Sequence, residues 1–151
     1  MAETKIIDVV PVVSASPDYS DGDVLGALMP LPLGRNRVSG WLQQVILTSE
    51  VDIAASIPVD VLIFSDYPGE SAFTDNAALA VAVDDLPFLL AVVHLTDRID
   101  LGTPVALQAT GLALKFATAA MGSLWAVAVA RGTINLAATD DVRFRFVVDL
   151  D

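Results

Sequence analysis

The chain contains one histidine and no cysteine, so few of its side chains can act as base, nucleophile or soft metal ligand. His94 stands in Val92-Val93-His94-Leu95. A Ser-His-Asp triad would need a serine and an acid brought to it by the fold. No Gly-x-Ser-x-Gly elbow is present, and a hydrogen-bonded histidine on a strand face is the expectation. The acidic turn Pro17-Asp18-Tyr19-Ser20-Asp21-Gly22-Asp23 offers several carboxylates on a tight loop, the ligand type that hard cations take. Its register does not match an EF-hand and no glutamate closes it at the twelfth position. A solvated turn is expected there, with a cation site as the alternative.

The paired acids Asp84-Asp85 and Asp140-Asp141 bring to mind the two carboxylates of glycosidases. Adjacent acids on a strand or turn point apart, however, and capping or turn formation is the commoner use. Leu101-Gly102-Thr103-Pro104 lacks both the spacing and the lysine of a phosphate loop. No cofactor or metal is therefore expected, and no catalytic residue. Arg143 and Arg145, two apart on one strand face, could pair with carboxylates of a neighbouring molecule.

The elements around these residues must bury an unusual share of apolar surface. Of 151 residues 54% are hydrophobic and 18% charged, against roughly 25% charged in an ordinary soluble domain. That length fits one domain, which can bury roughly 70% of the surface its unfolded chain exposes. The apolar surplus is expected at a subunit interface, since monomers rarely expose large apolar patches. Residues 77–95 are the longest apolar stretch, yet Asp84, Asp85 and Pro87 interrupt them, so a transmembrane helix is rejected. The start, Met1-Ala2-Glu3-Thr4-Lys5-Ile6-Ile7-Asp8, lacks the basic-then-apolar order of a secretory signal, and folding in the cytosol is the default. A net charge of −11 opposes binding to a phosphate backbone; the bland reading of that charge is solubility.

Short runs rich in Val, Ile and Leu alternate with turn clusters, the pattern of an all-β chain. About eight strands are expected among the runs 5–13, 24–29, 37–49, 58–65, 89–95, 99–107, 112–116, 124–131 and 142–150. Residues 142–150 carry the sharpest alternation: Val142, Phe144, Phe146, Val148 and Leu150 share one face, Arg143, Arg145, Val147 and Asp149 the other. The alanines of residues 113–130 favour helix, whereas Gly122 and the Trp125-Val127-Val129 alternation favour a strand, which is the reading taken. Asp75-Asn76 and Asp84-Asp85 are expected to start short helical turns. The expected fold is thus an all-β antiparallel β-sandwich, with the jelly roll as candidate topology and one or two short helical turns. Residues 1–18 form an N-terminal arm or first strand and residues 19–151 a single sandwich domain.

Five segments in order then carry a resemblance: Tyr19-Ser20-Asp21-Gly22-Asp23-Val24-Leu25-Gly26, Val61-Leu62-Ile63-Phe64, Ser71-Ala72-Phe73-Thr74-Asp75-Asn76-Ala77-Ala78, Val83-Asp84-Asp85-Leu86, and Leu124-Trp125-Ala126-Val127-Ala128-Val129-Ala130-Arg131-Gly132. From about Tyr19 to the C-terminus the chain resembles small virion structural proteins of tailed bacteriophages. The resemblance implies a capsid cement or decoration protein made in the bacterial host cytoplasm. Such β-sandwich subunits sit on the capsid surface as homodimers or homotrimers and bridge the major capsid protein. It supplies no catalytic residues, and no enzymatic role is expected.

Two other readings stay open: another virion component such as a tail or neck protein, and a small-ligand-binding β-barrel whose loops around Tyr19, Trp41 and Tyr67 would line a pocket. The candidate interface residues are Tyr19, Trp41, Arg143 and Arg145; large amphipathic rings dominate contact energetics, although Trp41 equally suits a core. Neither nucleic acid nor membrane is an expected partner.

Overall fold

The first strand of this chain pairs with its last, and the pairing then nests inward. The computed structural model describes residues 3–34, 36–53, 57–119 and 122–151. Its strands are β1 (Glu3–Val9), β2 (Val24–Pro32), β3 (Ser39–Ser49), β4 (Val59–Phe64), β5 (Leu89–Leu95), β6 (Asp97–Asp100), β7 (Val105–Ala109), β8 (Leu114–Ala117), β9 (Ser123–Ala130) and β10 (Val142–Leu150), with a 3-10 turn at Val83–Phe88. Every ladder is antiparallel: β1 with β10, β2 with β9, β3 with β7 and β4 with β5. Cross-links β10–β3 and β9–β4 complete two packed sheets, β1-β10-β3-β7-β6 with β8 also on β3, and β2-β9-β4-β5. Successive nested pairs alternate between the sheets, as when one long hairpin is rolled up on itself. This is the jelly-roll form of the all-β sandwich.

Residues 3–9 are part of the sandwich, since β1 pairs with β10 along its whole length. The alternation in β10 drives Val142, Phe144, Phe146, Val148 and Leu150 into the core between the sheets, and Arg143 and Arg145 outward. Gly40 marks the tightest approach. A Cβ there would lie 2.3 Å from the Asp149 carbonyl oxygen on β10, so the β3–β10 contact admits no side chain.

Two sequence expectations need correction. Residues 99–107 are not one strand but the hairpin β6–β7, because Gly102 adopts φ +99° and Leu101 N–H reaches the Pro104 carbonyl at 3.0 Å; a positive φ suits glycine and ends the extended run. The Asp residues expected to cap helical turns act elsewhere. The turn Val83–Phe88 has Ala82 at its N-cap without a side-chain bond, and Asp85 instead accepts from Ser71 Oγ at 2.5 Å and Glu70 N–H at 3.1 Å. Asp75 likewise accepts from distant groups described below.

The apolar surplus has an intramolecular destination. On β9, Ala126, Ala128 and Ala130 face the inter-sheet core while Val127, Val129 and Trp125 face away from it. On β4, Val59, Val61 and Ile63 face in while Leu62 and Phe64 face out. The long β4–β5 connection, residues 65–88, folds back over that outer face and packs Phe73, Leu79, Val81 and Phe88 on it, forming a second core. The expectation that the surplus requires a subunit interface is corrected to that extent. Among the described residues no helix is long and apolar enough to cross a membrane.

If this outer cluster is a true core, Phe64→Ala should cost about 3–5 kcal/mol although Phe64 lies outside the inter-sheet layer. Urea denaturation followed by tryptophan fluorescence measures it, and a loss below about 1 kcal/mol would contradict the assignment.

Candidate functional site

With the outer face of the four-stranded sheet roofed by residues 65–88, the outer face of the six-stranded sheet is left open. Strand register lays its side chains out in rows. Thr4, Asp149 and Trp41 stand side by side across β1, β10 and β3, with Lys115 of β8 next to Trp41. Ile6, Val147 and Gln44 form the next row, then Asp8, Arg145 and Ile46, then Arg143 and Thr48. Rows with charged residues therefore flank the Ile6–Val147 pair. Ile6 is 60% exposed, and Trp41 is 39% exposed.

Three of the four residues expected at an interface lie on this face. Trp41 lies under Lys115, whose Nζ sits 5.0 Å from the ring centroid, and Lys115 also pairs with Asp151. Arg145 grips Asp8 with two bonds, Nε at 2.7 Å and Nη2 at 3.1 Å, so its charge is already answered within the chain. That guanidinium holds the Asp8 carboxyl below the usual range. Arg143, by contrast, has no acid within ion-pair distance among the described residues, and it forms one wall of a groove of about 470 Å³ with Val10, Thr48, Glu50, Pro104 and Asp140. Thr48 and Arg143 continue into a smaller hollow bounded by Ile46 and Arg145.

Tyr19 is the exception, and the interface expectation for it is corrected: its side chain is fully buried. Its hydroxyl donates to Asp75 Oδ1 at 2.6 Å and accepts from Ser14 N–H at 2.7 Å. Burial, and then the neighbouring Asp75, push the phenol far above its ordinary range, so it stays neutral. Asp75 also takes Ser14 Oγ at 2.5 Å and Gly26 N–H at 2.7 Å, fastening the segment before β2, the bulged start of β2 and the roof to one carboxylate. Sequence reading missed this node because its members are 49 to 61 residues apart; the one signal was a lone acid beside Asn76, which has φ 57°.

A second buried carboxylate organises the only histidine. Asp60 on β4 stands across from His94 on β5; Oδ1 lies 2.6 Å from His94 Nδ1, and Arg131 Nε donates to Oδ2 at 2.8 Å. An ionised carboxylate only accepts, so Nδ1 carries the proton. Burial raises the Asp60 carboxyl, but the hydrogen bonds from Arg131 and His94 outweigh it and leave it below the usual range. A carboxylate that orients an imidazole is two-thirds of a triad. The hydrogen-bonded group contains no hydroxyl or thiol, and its geometry is that of a satisfied ion-pair cluster.

The other candidates are also engaged locally. Asp23 of the acidic turn accepts from Ser20 N–H at 2.8 Å, and Asp141 is buried, accepting from Ala137 and Ala138 N–H at 2.6 and 2.8 Å. Among the described residues no three His, Cys, Asp or Glu groups converge on an ion-sized point. The residues required to line a ligand pocket do not meet: Tyr19 is in the core, Trp41 is on the open sheet face, and Tyr67 packs edge-on against Trp125 at 5.0 Å on the other sheet.

No protein-family model matches the chain, and no curated protein matches it. Among solved structures, a chain of Desmodium yellow mottle tymovirus aligns with TM-score 0.33 and 8% identity over 99% of this chain and 80% of that one, a similarity too distant to transfer function.

Tyr19→Phe leaves Asp75 short of a donor and should cost about 1–3 kcal/mol, read by chemical denaturation; an unchanged midpoint would contradict the buried node. For Asp60 the folded carboxyl is depressed, so its stabilisation is present above the unfolded value near pH 4 and is lost as pH falls through the lower, folded value. Between about pH 5 and 2 the wild-type chain should lose stability more steeply than Asp60→Asn, measured as thermal midpoint against pH. Parallel curves would contradict the ion-pair account.

Proposed function

We propose that this chain is a structural protein of a tailed-bacteriophage virion, a capsid cement or decoration protein that docks the open face of its six-stranded sheet on the major capsid protein and stabilises the assembled shell. The observation that carries the reading is the asymmetry of the sandwich: one sheet is roofed by the chain's own residues 65–88, while the other presents Ile6, Trp41 and Arg143, which has no ion-pair partner among the described residues, beside the half-buried Ile46. The sequence resemblance supplies the class of partner. In this reading the chain is not an enzyme and needs no cofactor.

The work is mechanical. A protein that binds the assembled shell and not its free subunits shifts the equilibrium toward the shell by mass action. A standard contact takes about 800 Å² from each partner, roughly a ninth of this chain's 7170 Å² surface. Ile6, Val147 and Trp41 give apolar contact area, while Arg143 offers a charge for a carboxylate of the capsid protein. The net charge of −11 keeps free copies apart before docking. On this reading the chain is made in the host cytoplasm and ends on the capsid surface as a homo-oligomer.

Co-sedimentation with expanded shells of the source phage tests the assignment. Wild-type chain should saturate the shells, and Ile6→Lys and Arg143→Glu, both exposed substitutions, should weaken binding at least about tenfold, or 1.4 kcal/mol. Val83→Lys on the roof is the control and should bind as wild type. Failure of the wild-type chain to bind, or equal binding by all variants, would contradict the proposal.

A further inference from the structure

We propose that the groove beside Arg143 is a binding site for a small zwitterion, a short aliphatic ω-amino carboxylate whose carboxylate lies on Arg143 and whose ammonium lies against Glu50 and Asp140. The assignment stands on the groove itself and does not depend on the virion reading.

Four stretches of chain wall this space of about 470 Å³, a size within the roughly 300–1,000 Å³ of small-ligand sites. Val10 directly follows β1, residues 48–50 close β3, Pro104 precedes β7, and residues 140, 141 and 143 lead into β10. The chain's own hydrogen bonds fix these walls. Ser49 and Asp141 are buried. Ser49 Oγ donates to the Val51 carbonyl at 2.8 Å, and the Asp141 carboxylate accepts from Ala137 and Ala138 N–H. The Asp141 carbonyl accepts from Glu50 N–H at 2.9 Å, and the Thr139 carbonyl accepts from Val13 N–H at 3.0 Å. The end of β3 and the turn before β10 are thereby tied together, and a preorganised site loses less on binding.

The charges around the groove are placed but unused. Arg98, Arg131, Arg145 and Lys115 each pair with an acid of this chain. Arg143 lines the same groove as Glu50 and Asp140 and pairs with neither. Among the described residues, no side-chain hydrogen bond engages either of those carboxylates or the Thr48 hydroxyl. Thr48 stands across from Arg143 in the strand register, and Glu50 is two residues further on, up to about 7 Å of extended chain. Acid and base are thus held apart on one groove.

That separation selects the ligand. A lone anion on Arg143 would meet two carboxylates, and a lone cation at the acids would meet the guanidinium. A bound metal ion is not favoured either, since no three acidic or imidazole groups converge among the described residues. A molecule with one charge at each end answers both. Its carboxylate takes the planar fork of Arg143 and the Thr48 hydroxyl, its ammonium takes Glu50 and Asp140, and its methylene chain packs on Val10 and Pro104, the apolar lining.

The probe is ε-aminocaproate, whose extended chain sets its two charges at such a separation; glycine, with the charges a single carbon apart, cannot. Backbone amide NMR at low ionic strength, where exposed charges are least screened, follows the titration. Amides of residues 48–50 and 140–143 should shift saturably. Caproate, hexylamine and glycine should each bind at least about tenfold more weakly, as should ε-aminocaproate to Arg143→Gln and to the double variant Glu50→Gln/Asp140→Asn, the loss expected for one charged hydrogen bond. These substitutions are at exposed positions, and the remaining amides report that both variants fold. No saturable shift, binding of caproate or hexylamine as tight as that of the zwitterion, or unchanged affinity in either variant would overturn the proposal.

Discussion

Strands β4 and β9 are apolar on both faces, and the rest of the molecule answers that constraint. A strand in a two-layer sandwich normally offers one face to the core and one to water. Here Leu62, Phe64, Val127 and Val129 point away from the inter-sheet core and are buried nonetheless. Apolar surface of that extent has to be removed from water, and the 24 residues of the β4–β5 connection, numbers 65–88, supply the third layer that removes it. Small side chains on the inward face of β9, Ala126, Ala128 and Ala130, let the two sheets approach while the larger ones fill the roofed cluster.

A roof made of irregular chain must be fixed in place, and two carboxylates do it. Asp85 ties the 3-10 turn to Glu70 and Ser71, and Asp75 ties the roof to Tyr19, Ser14 and Gly26. Charge-assisted hydrogen bonds of this kind are stronger than neutral ones, and each joins segments that the β ladders leave unconnected. The outcome is a sandwich with unequal faces, one closed by its own chain and the other open with exposed apolar and basic groups. The proposed docking role rests on that inequality.

Much of the framework was legible in the sequence because strand periodicity is local. The β10 alternation, the apolar run of β4 and the Trp125-Val127-Val129 pattern against Gly122 all read as strands, and the two-layer antiparallel class followed. The turn at Gly102 was hidden because apolar residues on both sides continued the run. Tyr19 read as a contact ring since its hydroxyl's partner, Asp75, is 56 residues away. Asp60 stands among apolar residues in Val-Asp-Val, a signal the sequence reading did not use, and its partner Arg131 lies 71 residues on. Nor can composition tell whether an apolar surplus is covered by the same chain or by another; only the path of residues 65–88 decides that.

The central claim is that this rolled-up hairpin works as a repeated part of a virion shell, and its copy number in purified particles tests that most directly. Quantitative mass spectrometry of virions of the source phage, referenced to the major capsid protein, should find the chain in the hundreds per particle. A few to tens of copies would move it to the tail or neck, and its absence from the particle would contradict the account.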